Sequence, residues 1–271
     1  MARAPSPAKT MASQSTCEFK RLSIEHKGPV AHITLCNPPL NIIDIPIMDE
    51  LASALAEIES QPEISTIVFR GERNCYSAGV DVAAHTPDKV VSMIEKFHRV
   101  IRSLIATKKV TIAAVQGHCL GGGAELTMVC DLVYTTEGAQ WGFPEIQLGC
   151  FPPVAVTALS ALIGQKRASD LILTGRTITG VEAAAIGLAT GALAKNQLAT
   201  VVDETLNKLS ALSPAALALT KKAIYAWDSM HFDKGLARAE KIYLDELMKT
   251  EDANEGIRAF MEKRQPRWSG R

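Results

Sequence analysis

The stretch that decides the fold runs from Lys109 to Pro153, KVTIAAVQGHCLGGGAELTMVCDLVYTTEGAQWGFPEIQLGCFPP. It opens on a short apolar run, Val110 to Val115, rich in β-branched residues and closed by Gly117, the pattern of a buried strand rather than a helix. Gly121-Gly122-Gly123 then removes three successive Cβ atoms just ahead of a helical run, Ala124, Glu125, Leu126, Met128 and Val129. Backbone N–H groups at such a helix start are bare and can face a developing negative charge, which is the physics of an oxyanion site. The same glycines also serve close packing of a helix on a strand, so alone they leave both readings open.

Two carboxylates weigh on that choice. Glu125 lies in the first turn of the glycine-led helix, and Glu145 follows a second strand-like run, Leu132 to Thr136, within Phe143-Pro144-Glu145. Two acids sharing a small apolar pocket raise one another's pKa, so that one can act as a base while the other holds a proton near neutral pH. A solvent-exposed glutamate is the commoner fate of either one taken singly.

Outward from this stretch the chain keeps an order of strand, strand, helix. Phe19 to Ile24 and Val30 to Leu35 read as a hairpin around Lys27-Gly28-Pro29. Asp44 is placed to cap a helix with Pro46 in its first turn and Ile47, Leu51, Leu55 and Ile58 on one stripe. Ser65 to Phe69 is a buried strand, and residues 87–106 form a helix with Val90, Val91, Ile94, Phe97, Ile101, Leu104 and Ile105 inward. His98 on that helix and His118 beside the glycines offer imidazoles near the site, although histidines so placed are more often structural. After Pro153 the pattern is helical: Val154 to Ile163, Lys166 to Leu173, Val181 to Ile186, Gln197 to Leu212, Pro214 to Asp228, Lys234 to Lys249 and Asp252 to Lys263.

The 271 residues suffice for one large core without staples. Charge is balanced, 29 Lys and Arg against 29 Asp and Glu, which argues against a nucleic-acid binder held by bulk charge. The six cysteines form no C-x-x-C pair, favouring reduced thiols in a cytoplasm-like compartment over disulfides or a zinc site. No apolar run reaches a membrane span. Residues 1–17 are rich in Ala, Ser and Pro and read as a disordered tail; their lack of acidic residues also permits an organelle (mitochondrial) transit remnant.

The ordered set Ala113 to Leu126, Cys130-Asp131-Leu132 and Phe143-Pro144-Glu145-Ile146-Gln147-Leu148-Gly149 resembles the crotonase (enoyl-CoA hydratase/isomerase) superfamily. Ser77-Ala78-Gly79-Val80-Asp81 is similar to its A-G-x-D turn, and Leu173-Thr174-Gly175, Ala183 to Leu188 and Ala259 to Arg264 add to the likeness, which spans roughly residues 18–265. The resemblance implies an α/β fold with a ββα spiral core over residues 18–212, and a C-terminal helical region, 213–271, that joins a homotrimer or a dimer of trimers. It implies an acyl-CoA thioester as substrate, with coenzyme A arriving as part of it and no separate cofactor or metal. By position, it assigns the N–H groups of Ala78 and Gly122 to the thioester oxyanion, Glu125 to water activation and Glu145 to proton donation, two labels that coupled acids could exchange. Leu40, Asp81, Gly121, Pro153, Phe260 and Lys263 are the expected substrate contacts.

An intact pair of glutamates favours a hydratase over two alternatives, an enoyl- or dienoyl-CoA isomerase with one acid/base and a binding protein that keeps the fold without catalysis. The chain departs from the family pattern in three places. No cation precedes or accompanies Pro38-Pro39-Leu40-Asn41, and none follows Asp81 in Val82-Ala83-Ala84-His85, leaving Lys263 and Lys89 as candidates for the CoA phosphates. Pro153 replaces a glycine eight positions after Glu145 and has no N–H to donate. With Pro39 to Asp44, that stiff segment looks similar to the cyclohexadienecarbonyl-CoA hydratases, whereas a proline pair also simply starts a helix.

Overall fold

A computed structural model of the chain describes residues 19–225 and 229–270; the tail expected over residues 1–17 and the end of the helix expected at Asp228 lie outside the described residues. In chain order the elements are β1 (Leu22–Lys27), β2 (Val30–Leu35), α1 (Ile45–Glu59), β3 (Thr66–Gly71), α2 (Val90–Ala106), β4 (Val110–Val115), β5 (His118–Leu120) and α3 (Gly122–Met128). There follow β6 (Leu132–Thr136), β7 (Gln140–Gly142), α4 (Pro153–Ile163), α5 (Gln165–Thr174), β8 (Thr177–Thr179), α6 (Gly180–Ala185), β9 (Gly191–Leu193) and α7 (Leu198–Ser210). The C-terminal region is α8 (Pro214–Tyr225), α9 (Ser229–Lys241) and α10 (Glu251–Met261).

The strands form two sheets. The larger has the order β1-β2-β3-β4-β6-β9, with β1 antiparallel to β2 and the rest parallel; the smaller has the order β5-β7-β8. Isolated bridges from Ile43 to Val80 and from Ser77 to Cys119 extend the smaller sheet upstream. Each turn of the chain thus contributes a strand to the large sheet, an extended segment to the small one and then a helix, as in β4-β5-α3. This spiral stacks residues 77–81, the glycine turn and the segment after β7 side by side, although they are distant in sequence.

Local chemistry accounts for the elements. Asp44 caps α1 by accepting from the Ile47 N–H at 3.0 Å, and Pro46 occupies its first turn, where a missing N–H costs nothing. The apolar stripe Ile47, Leu51, Leu55 and Ile58 is buried as its spacing predicts. On α2 the stripe is narrower than predicted: Val91 is 49% exposed and Ile105 only half-buried, because a helix of this kind presents one face to the core.

The predicted helix Lys234 to Lys249 is broken. After α9 the backbone makes one π-helical turn, Ile242–Glu246, and then a 3₁₀ turn, Leu247–Lys249. Such a turn re-aims one side chain, here the buried Tyr243, which packs edge-on against Phe151 with ring centroids 5.2 Å apart. Leu236, Tyr243, Met248, Ala253 and Ile257 join the same core as the sheet and α1, so α9 and α10 pack onto the spiral of their own chain. α8 differs: it is tied down by the buried Lys221, whose Nζ meets Asp131 at 2.9 Å and the Lys109 carbonyl at 2.8 Å, while Leu219 and Ile224 are each 66% exposed.

Candidate active site

A cleft of about 1030 Å³ opens between α2, α3, α4, the segment around Glu145 and α10. Its walls include Leu40, Asp81, Gly121, Pro153 and Phe260, as expected from sequence, together with Glu125, Glu145 and Gly122. Lys263 does not line the cleft; the neighbouring Arg264 does, with Gln265, Pro266 and Trp268. Lys263 adopts a left-handed φ of +53° at the end of α10, which turns the chain so that the following residue faces the site.

The expected oxyanion donor Ala78 is corrected by its own hydrogen bond. Its N–H donates to the Leu40 carbonyl at 2.9 Å and is not free to meet a substrate. Beyond it, Ile43 N–H donates to the Gly79 carbonyl at 2.9 Å and Asp81 N–H to the Ile43 carbonyl at 3.1 Å. In an extended segment successive N–H groups point to opposite sides, so the Val80 N–H points away from Ile43, and among the described residues no acceptor takes it. A Cβ placed on Gly122 would lie 3.4 Å from the Val80 nitrogen and would collide with its side chain. Gly122 is therefore what lets these two backbones close on one another. As the first residue of α3, it also has an N–H with no intrahelical acceptor. Val80 and Gly122 are thus the pair of N–H groups that converge on the cleft.

Gly121 serves a different purpose. Its φ is +49°, and Glu145 Oε1 occupies the space where a Cβ would stand. The Glu145 side chain therefore lies directly against the turn that leads into α3, and Glu145 Oε2 is buried without a hydrogen-bond partner among the described residues. Burial, and then the charge of Glu125, push the Glu145 carboxyl up to about 8.

Glu125 is also buried, but it is cradled. Its Oε1 accepts from Val154 N–H at 2.8 Å and Ala155 N–H at 2.9 Å, both in the first turn of α4. Burial raises it to about 7, opposed by those two donors. Pro153, the first residue of α4, donates nothing, so it both starts the helix and walls the cleft, and its two successors carry the hydrogen bonds.

Other predicted residues have modest parts. Asp81 lines the cleft, but its carboxylate accepts from Ala83 N–H at 3.0 Å and caps a short 3₁₀ turn, Val82–His85. His118 is on β5 and does not line the cleft, and neither does Lys89. His98 does line it, fully buried.

Known proteins now bear on the chain. Residues 25–271 match the Enoyl-CoA hydratase/isomerase family. The chain belongs to that family. It is 32% identical to cyclohexa-1,5-dienecarbonyl-CoA hydratase of Thauera aromatica over 92% of this chain and 96% of that protein. It is 33% identical to a short-chain-enoyl-CoA hydratase of Clostridium acetobutylicum, over 91% of this chain and 97% of that protein. The crystal structure of an enoyl-CoA hydratase from Mycobacterium avium subsp. paratuberculosis K-10 superposes with a TM-score of 0.84 at 26% identity, covering 93% of this chain and 99% of the other. The family's ββα spiral is the architecture described above. Among the described residues no helix is long and apolar enough to cross a membrane, and Cys36, Cys75, Cys119, Cys130 and Cys150 are unpaired.

Sequence reasoning missed Val80, Tyr243 and Arg264. The x of A-G-x-D is any residue, so only the strand it bridges to shows that its N–H is the free one. Tyr243 lies in a predicted regular helix whose π-turn leaves no local signature, and Arg264 reaches the cleft because Lys263 turns the chain.

Proposed function

We propose that this chain adds water across the α,β double bond of an enoyl-CoA thioester. The observation that carries the reading is the pair of buried carboxyls, both raised toward neutrality, facing a turn with two convergent N–H groups. The thioester oxygen would accept from Val80 and Gly122 N–H, the latter aided by the α3 dipole, so that an enolate can form. Glu125, whose anion is favoured by two N–H donors, takes a proton from water as the oxygen adds to the β carbon. Glu145, protonated at neutral pH, gives its proton to the α carbon; transfer of the captured proton back to Glu145 resets the site.

The acyl group we propose is a cyclic dienoyl group. Support comes from the rigid wall of Phe151, Pro152, Pro153 and Tyr243, and from similarity to a relative named for such a ring. Comparing kcat/KM for crotonyl-CoA and cyclohexadienecarbonyl-CoA tests it: the ring reading expects at least about tenfold preference for the cyclic thioester, and a preference for crotonyl-CoA removes it. Arg264, which lines the cleft where Lys263 was expected, is the cation nearest the coenzyme A side that we propose, although Glu255 and Glu262 already hold its guanidinium, at 2.6 and 2.5 Å.

We further propose a homotrimer or a dimer of trimers, with residues 213–271 contributing through α8, whose Leu219 and Ile224 are wet in the single chain. A monodisperse monomer by light scattering would refute that assembly. Unpaired thiols fit a cytoplasmic or mitochondrial-matrix compartment.

A further inference from the structure

Three contacts fix the end of α9 against two walls of the cleft. Glu240 Oε1 is 2.6 Å from His98 Nδ1 and accepts from Arg102 Nη2 at 2.7 Å, which ties α9 to α2. Gly235 faces α4: a Cβ there would stand 2.8 Å from Thr157 Cγ2, so the missing side chain lets α9 and α4 close on one another. One turn beyond Glu240 the backbone opens into the π-turn Ile242–Glu246, and the buried ring of Tyr243 meets Phe151 with 5.2 Å between centroids and 88° between planes. The edge-on arrangement is a favoured aromatic geometry, and π-turns inside helices concentrate at functional sites.

Phe151 stands two residues ahead of α4, with Pro152 (φ −80°, ψ 107°) and Pro153 between. Each proline ring fixes its own φ and restricts the residue before it, so this link has few soft dihedrals. A displacement of Phe151 is therefore carried to the first turn of α4, whose Val154 and Ala155 N–H groups reach Glu125 Oε1 at 2.8 and 2.9 Å. On the other side of Phe151, Cys150 N–H donates to the Glu145 carbonyl at 3.0 Å, so the same ring borders the segment of the second acid. Of the titratable groups packed around Glu125, only Glu145 changes charge near neutral pH. Burial keeps the proton on the Tyr243 phenol and on the Cys150 thiol, the latter raised to about 11, and holds the cleft imidazoles of His85 and His98 below their ordinary range.

We propose that Tyr243 is a positioning residue for the base of the hydration: its ring holds Phe151 and, through the stiff Pro152-Pro153 link, the first turn of α4, so that Val154 and Ala155 keep their N–H groups on Glu125. This rests on the hydratase reading, in which Glu125 takes the proton of water. Tyr243 touches no reacting atom; it acts through the two donors that favour the Glu125 anion.

The test reads the pH profile of kcat/KM for a hydrated enoyl-CoA and, without turnover, the infrared titration of the Glu125 carboxyl band, assigned by its loss in Glu125→Gln. Tyr243→Leu and Phe151→Leu break the ring contact from its two sides. Each should loosen Val154 and Ala155 from the Glu125 anion, so the acid limb and the infrared midpoint should both move to higher pH by about one unit, roughly a tenfold loss of kcat/KM on the acid side. Tyr243→Phe keeps the edge-on ring and should keep the wild-type limb and midpoint. A residue that served stability alone would lower the melting temperature of the leucine variants and leave limb and midpoint in place. An unmoved midpoint in a folded leucine variant overturns the proposal, and so does a shift in Tyr243→Phe as large as in Tyr243→Leu. Should one leucine variant fail to fold, the other decides. If no thioester is hydrated at all, the hydratase reading fails, and the infrared midpoint still decides the role of Tyr243.

Discussion

Glu125 and Glu145 line one cleft, the first buried and the second half-buried with its Oε2 covered, and the donors that meet the two carboxyls differ. Glu125 meets two N–H groups at the start of α4, whereas Glu145 rests against Gly121 with an oxygen that meets nothing. Donors stabilise an anion and empty surroundings stabilise the neutral acid. In the reaction proposed above, a helix terminus favours the base form of Glu125, and a glycine that leaves room for Glu145 without supplying a donor favours its acid form.

The strongest way to break that comparison is to neutralise each carboxyl at constant volume. Glu125→Gln and Glu145→Gln should each lower kcat by about 10²- to 10⁴-fold, with thioester affinity and fold kept. Steady-state rates with a hydrated thioester, paired with melting curves, check this. Wild-type hydration in either variant would void that residue's role and favour an isomerase with a single acid/base.

Gly122→Ala comes next. The added methyl has to displace Val80 or Phe97, separating the two N–H groups, and the loss of one oxyanion donor typically costs about 3 kcal/mol, roughly two decades in kcat. An alanine variant with unchanged kcat would remove Val80 and Gly122 as the donor pair.

A smaller effect is expected in the pH profile. Activity should fall below about 7 as Glu125 takes up a proton, and above about 8 as Glu145 loses one, giving a narrow bell in kcat/KM. The two limbs report the coupled pair. A profile flat across this range would show that the pair does not control the rate.

Stability should respond least. Both native pKa values are raised above 4.5, so the native state keeps protons that the unfolded chain has released, and stability falls as pH rises from about 4.5 to about 8. Glu145→Gln should therefore stabilise at pH 8 and do almost nothing at pH 4. Glu125→Gln should gain less at pH 8, because its anion is already supported by Val154 and Ala155. Denaturant midpoints at the two pH values read this directly, and equal gains would contradict the assignment of base and acid.

Much of the reacting end was legible from residues. A β-branched run, three glycines, a helix that begins with a glutamate and a second glutamate after a proline are local signals, and local backbone preferences carry them whatever packs around them. The same holds for the Asp44 cap, whose hydrogen bond spans three residues. Where contacts between distant segments decide, local reading stops. Whether Ala78 or Val80 offers a free N–H depends on Leu40 and Ile43, which consume the backbone groups facing them.

By itself, then, the sequence determined the spiral order of elements, the glycine turn, the two carboxylates and the family, since all of these rest on spacing and on residue type. The tertiary structure alone decided which N–H groups converge, which carboxylate is cradled, and that His98, Tyr243 and Arg264 reach the cleft. The physical reason is that a hydrogen bond is used up by its nearest partner and burial is set by what packs on top. Here those partners are up to 142 residues apart, as with His98 and Glu240, and no local pattern records them.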